Sequence, residues 1–185
     1  MKQLDLLQSY LHHSNIITIA VLGVLSLYFI LVNWVFFYRY FLIVLQLRRE
    51  KFALEALYMG HTKPVESYLS ACLNDTKSKE MADFCIYKLT QKSTQGLTLL
   101  SVAASTSPFI GLLGTVVSIL ETFYVMGSTH ANIATISASI GEALIATAAG
   151  IFVAIFSYTY HLILKRKAYE LVSTVQMQID LVLGR

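Results

Sequence analysis

A chain of 185 residues that is 56% hydrophobic and only 14% charged is too apolar for an ordinary soluble domain. Its formal charge of +3 does not describe a nucleic-acid surface, because the basic residues alternate with acids along the chain. No phosphate-cradling Gly-Lys-Ser/Thr loop, nucleophile elbow or paired hydrolytic carboxylates occur, and His12, His13, His61, His130 and His161 match no metal spacing, so no enzymatic chemistry, cofactor or metal is expected.

The elements follow in chain order. Residues 1–14 place Leu4, Leu7 and Leu11 on one helical face, as an amphipathic segment on a membrane surface would. Ile16–Phe37 carries no charge and exceeds the roughly 20 residues that cross a bilayer. It is too long for a signal-peptide core and no Ala-x-Ala site follows, so a retained first span is expected at 15–38. A helical loop follows at 39–96, with Gly60, Pro64 and Asn74-Asp75 as breaks, and its last helix is expected to run from about Ser78 into a second span at 97–126. A turn at 127–132 leads to a third span at 133–164. Leu164, Ala168, Leu171, Val175, Ile179 and Val182 then recur at helical steps through the tail, 165–185. The fold class expected is all-α, an integral membrane protein with three transmembrane helices and helical cytoplasmic extensions that pack together.

Charge sets the orientation. Nine basic residues lie between Arg39 and Lys92, and Lys165, Arg166, Lys167 and Arg185 lie in the tail, while only Lys2 precedes the first span and the 127–132 turn has none. The positive-inside rule then puts the N-terminus and the turn outside and the loop and tail in the cytoplasm. Trp34, Phe36, Phe37, Tyr38 and Tyr40 around Arg39 fit an aromatic belt at the inner interface. Cys72 and Cys85 fall on the cytoplasmic side and are expected as free thiols.

The chemistry concentrates in the longest stretch without Lys or Arg, Ser93–Leu164, whose only carboxylates are Glu121 and Glu142. A charged residue at the centre of a membrane helix costs about 2.5–3.5 kcal/mol on insertion scales, which makes it a candidate functional group. Glu142 falls in a ridge of Ala134, Ala138, Ala146, Gly150 and Ala154 at four-residue spacing, a pattern that lets helix backbones approach. Thr135 and Ser139 share its face. On the second span Pro108, Gly111, Thr115, Ser118 and Thr122 form a small, hydroxyl-bearing stripe, with a kink expected at Pro108. Counting back and forward from a turn near Thr129 brings Thr115, Glu142 and Thr147 to similar depth. Individually, Thr115, Thr147, Ser118 and Ser139 also suit plain packing with bonds to their own helix carbonyls. Glu121 is close enough to the outer surface to snorkel.

The pair Ser105-Thr-Ser-Pro-Phe-Ile-Gly-Leu-Leu-Gly-Thr-Val116 and Gly141-Glu-Ala-Leu-Ile-Ala-Thr-Ala-Ala-Gly150 resembles the paired signature of the ExbB/TolQ/MotA proton-channel family, with the nearest likeness to its ExbB/TolQ branch. The resemblance covers Gly96–Lys167 most strongly. It implies a homopentamer around the single membrane helices of an ExbD- or TolR-like subunit, driving a TonB- or TolA-like transducer by proton flow. It also implies that Thr115, Glu142 and Thr147 line the proton path, with Gly111, Ser118, Ser139, Ala146 and Gly150 as pore-lining candidates. The chain departs from the family pattern at Ala138-Ser139, where Pro-Gly is common, and at Phe156, where proline is common, so a straighter third helix is expected. A passive scaffold of small-residue helices and a module of a substrate transporter remain as alternatives on the residues alone.

Overall fold

The computed structural model of the protein describes residues 16–59, 67–73, 78–128 and 133–183. All regular structure among these residues is helical: α1 (Ile16–Tyr58), α2 (Tyr68–Leu73), α3 (Lys79–Thr94), α4 (Leu97–Ser128) and α5 (Ile133–Leu183). The all-α class holds, and α1, α4 and α5 contain the three apolar stretches long enough to cross a membrane. The amphipathic segment expected before Asn15, the breaks at Gly60, Pro64 and Asn74-Asp75, and residues 129–132 of the turn lie outside the described residues.

The contacts divide the chain into two units, one of described residues through Asn33 with Leu100–Thr159, the other of Trp34–Leu99 with the chain from Tyr160 onward. In the first, α1 buries Thr18, Leu25 and Val32, a seven-residue repeat that keeps one face inward. The inward residues of the partners are mostly small: Ala103, Ser107 and Ser118 on α4, with Ala143, Ala146 and Ser157 on α5. Small residues let α4 and α5 touch backbone to backbone. A Cβ added at Gly150 would stand 2.6 Å from the Ser107 carbonyl oxygen, and one at Gly111 would stand 2.7 Å from that of Ala146. Helix α4 continues through Pro108, and α5 runs unbroken for 51 residues. Phe156, at the position where the family pattern often has proline, packs edge-on against Phe29 with ring centres 5.6 Å apart. The outward faces carry Leu27, Ile30, Phe109, Leu113, Leu120, Ile151 and Ile155, all exposed in the single chain, as lipid- or partner-facing residues would be.

The second unit is held by polar contacts as well as apolar ones. Leu164, Ala168, Leu171, Val175 and Ile179 are buried, so the tail's periodic face is packed as its spacing required. Burying each of the larger ones contributes about 1.5–3 kcal/mol. Glu50, itself buried, accepts from the Tyr68 backbone N–H at 2.8 Å, and Gln178 donates to both its carboxylate (3.1 Å) and its backbone carbonyl (2.8 Å). One carboxylate thereby ties α1, α2 and α5. Ser78 caps α3 by accepting from Met81 N–H at 3.2 Å.

Two expectations are corrected here. The helix expected to run from Ser78 into the second span is broken at Gly96, whose φ of +85° is a left-handed conformation that glycine takes without steric cost. The thiols of Cys72 and Cys85 are not free but joined in a disulfide. Helices α2 and α3 fold against one another through Leu69 and Ala82, and this brings the two Cα atoms to 6.1 Å, within bridging range. Sequence spacing alone carried no sign of that hairpin.

At Gly150 even one methyl group must push backbone aside, so Gly150→Ala should destabilise the chain by about 1–3 kcal/mol. Gly141 has nothing within 4 Å of an added Cβ, and Gly141→Ala should leave thermal stability in detergent unchanged or slightly raised. Equal losses at the two sites would contradict the close contact. Glu170 accepts from Lys51 at 2.5 Å and from Lys167 at 2.9 Å, and these two bonds hold its carboxyl well down, at about 2. A depressed carboxyl contributes stability that is complete above its unfolded value and lost as pH falls from about 4 towards 2. Glu170 is a third exposed and Lys51 about half, so Glu170→Gln should cost under about 1 kcal/mol at pH 7. That cost should vanish in unfolding curves measured below about pH 2.

Candidate functional site

The glycine contacts set the register of the first unit. Gly111 lies against Ala146, Thr147 and Gly150, and Gly114 lies against both Ala146 and Val21 of α1. One turn further along α4 and one turn back along α5, Ser118 comes level with Glu142. One turn back from Val21, Thr18 joins the same level. Thr115 falls between the levels of Glu142 and Thr147. The three residues expected at similar depth are stacked along about one and a half turns.

The hydroxyl groups on these helices behave in two ways. Thr115 donates to the Leu112 carbonyl at 2.7 Å, Thr122 to that of Ser118 at 2.8 Å, Ser107 to that of Ala103 at 2.5 Å and Ser157 to that of Val153 at 2.8 Å. These are self-satisfied packing hydroxyls. Thr18 Oγ1, Ser118 Oγ and Thr147 Oγ1 are buried and have no partner, and the same is true of Glu121 Oε2. Thr18 and Ser118 are each 1% exposed. A buried polar atom without a partner costs about 1–3 kcal/mol unless water or another chain satisfies it.

Placed on the register, the unpartnered oxygens fall at successive levels along the three helices. Glu121 is a turn beyond Ser118 along α4, and its Oε2 is buried. Thr18 and Ser118 occupy the level of Glu142, and Thr147 lies about a turn further in. Glu142 is half-exposed in the single chain, beside the fully buried Ala143 and Ala146, so its carboxyl stands on the rim of the helix contact where another chain can meet it. Ser139 is half-buried and level with Glu121. Gly111, Ala146 and Gly150 are buried in the α4–α5 contact of the chain itself.

No Lys or Arg occurs among the described residues of this unit, so neither carboxyl has a cation of its own to pair with. A carboxyl beside unpartnered hydroxyls, in otherwise apolar surroundings, can hold water or pass a proton, and its charge state changes what it can bond. Sequence reasoning missed Thr18. The first span looked like a uniform apolar anchor, and the signal available was a threonine three residues before the valine that meets Gly114.

Residues 55–177 match the sequence profile of the MotA/TolQ/ExbB proton channel family. Biopolymer transport protein ExbB-like 1 of Helicobacter pylori strain J99 is 41% identical over 182 residues, covering 96% of each chain. Biopolymer transport protein ExbB of Neisseria gonorrhoeae is 37% identical over 102 residues, 55% of this chain and 42% of that protein. The ExbB of Xanthomonas campestris pv. campestris strain B100 is 46% identical over 71 residues, 36% of this chain and 28% of its own length. On its three membrane-length helices, its motif pair and these similarities alike, this chain belongs to the MotA/TolQ/ExbB proton channel family and is a multi-pass membrane protein.

Proposed function

We propose that this chain is the large subunit of a motor in the bacterial inner membrane that converts the proton gradient into motion. Several copies, a pentamer by family resemblance, enclose the single helix of a small ExbD- or TolR-like subunit whose carboxylate exchanges protons with the Thr115–Glu142–Thr147 path. The motion passes to a TonB- or TolA-like transducer. The observation that carries this reading is the set of buried, unpartnered oxygens at Glu121, Thr18, Ser118 and Thr147 in a unit without Lys or Arg among the described residues. A passive scaffold accounts for Thr115, Ser107 and Ser157, which satisfy themselves, but has no use for oxygens left unsatisfied. The half-exposed Glu142 on the rim suits a partner helix that brings its own titratable group.

The coupling chemistry follows from the local charges. A change of charge at the Glu142 position alters how a neighbouring helix seats against it. One charge crossing the membrane releases about 2.3 kcal/mol per 100 mV, so several transfers per cycle suffice to drive a conformational step.

In a gradient-dependent uptake assay, Glu142→Gln and Thr147→Val should abolish energised function while the complex still assembles. Ser107→Ala, which removes a self-satisfied hydroxyl, should keep at least half the activity. Wild-type activity in Glu142→Gln would make that residue structural. The orientation has its own check. With Cys72→Ser and Cys85→Ser as background, Ser128→Cys should react with an impermeant thiol reagent applied to intact cells. The native pair should stay unlabelled even with an impermeant reductant outside, and labelling at Cys72 would reverse the orientation.

A further inference from the structure

The second unit contains a cavity of about 400 Å³ whose walls come from α1, α2, α3 and α5. Arg39, Arg49 and Lys92 line it, with Glu50 as the one carboxylate among the lining residues. Glu50 is already engaged by Tyr68 N–H and Gln178. Among the described residues none of the three cations has a carboxylate partner, whereas Lys51 and Lys167 nearby share Glu170. Among the described residues the cavity therefore holds more positive than negative charge.

Its character is sharpest at Arg39. One terminal nitrogen of the guanidinium donates to the Lys92 carbonyl, which fixes the side chain between α1 and α3. Its Nε is buried and has no partner. Burial lowers the pKa of Arg39, with Tyr38 acting in the opposite direction, so an anion at this point would restore interactions the guanidinium has lost to desolvation. Planar guanidinium N–H groups match phosphate oxygens, and the Lys92 ammonium adds a point charge.

The position decides the kind of phosphate. Arg39 is the first basic residue after the apolar run of α1. Trp34, Phe37, Tyr38 and Phe41 around it are each more than 60% exposed. Such a band of uncovered aromatic rings marks the headgroup level of a bilayer, and basic pockets at the cytoplasmic ends of membrane helices bind anionic lipid headgroups. Arg39 and Arg49 lie about 15 Å apart along α1, room for a headgroup to extend from the phosphate along Gln46.

We propose that this cavity is a binding site for the phosphate of an anionic phospholipid, held at the Arg39–Lys92 end with Arg49 attracting the rest of the headgroup. The site stands apart from the ion path and does not depend on its interpretation. Lipid bound there would bridge α1 and α3 beside the break at Gly96, where Arg39 already makes the only link that a headgroup would reinforce among the polar contacts described.

The assembled protein, stripped of lipid in detergent, tests this by native mass spectrometry with added phosphatidylglycerol or phosphatidylethanolamine. Phosphatidylglycerol should be retained at about one molecule per chain and phosphatidylethanolamine should not. Lys92→Gln and Arg49→Gln should each weaken retention about fivefold. Lys92→Gln leaves the backbone carbonyl that holds Arg39 in place, so folding is preserved. Lys88→Gln removes the same charge from the same helix but at a side chain that lies over the Phe84 ring, away from the cavity, and should change nothing. Equal retention of the two lipids, an equal effect of Lys88→Gln, or displacement of the lipid by millimolar inorganic phosphate would each overturn the lipid assignment.

Discussion

The approach of α4 to α5 at Gly111 and Gly150 is the constraint on which the rest of the membrane unit depends. With backbone atoms where side chains would otherwise stand, the two helices cannot slide without a clash or a gap. That contact fixes the level of the residues along both helices. Ser118 comes level with Glu142, and through the Val21–Gly114 contact Thr18 joins that level. A larger residue at either glycine would separate the helices and dissolve the alignment before it touched any titratable group.

Within that frame the unit makes a sharp distinction among its hydroxyl groups. Most return their proton to a carbonyl on their own helix, which is how a membrane helix normally silences a serine or threonine. Thr18, Ser118 and Thr147 do not, although all are buried. Leaving three such groups unsatisfied in one three-helix unit is unfavourable by several kcal/mol in total unless water or a partner chain completes them. A path that must be wet to conduct would have this cost met whenever it is filled. Thr115, despite its place in the family motif, is bonded to Leu112 in the single chain. It would have to give up that bond to take part.

Much of this was legible in the residues. The three apolar blocks, the polar stripe on the second span and the lone central carboxyl all follow from composition and period, and the tail's buried face follows its spacing from Leu164 to Ile179, with Val182 partly buried. Other features rest on contacts between distant segments, and no periodicity encodes those. The hairpin of α2 and α3 and its Cys72–Cys85 bridge are of this kind, as is the engagement of Glu50 by Gln178, 128 residues away. Gly96 could have been read as a break, but an uninterrupted helical pattern on both sides concealed it.

The central claim is that the unpartnered oxygens mark a hydrated column, and the accessibility of Ser118 tests it most directly. In a background of Cys72→Ser and Cys85→Ser, Ser118→Cys in the assembled complex is exposed to a small water-soluble reagent that reacts only with thiolates. Leu25→Cys serves as reference, because Leu25 is as deeply buried as Ser118 in the same unit but is itself apolar. A hydrated column predicts that Ser118→Cys reacts at least about tenfold faster than Leu25→Cys, since only wet surroundings supply the thiolate. Equal rates at the two positions would show the interior to be dry, and the column would then be packing rather than a path.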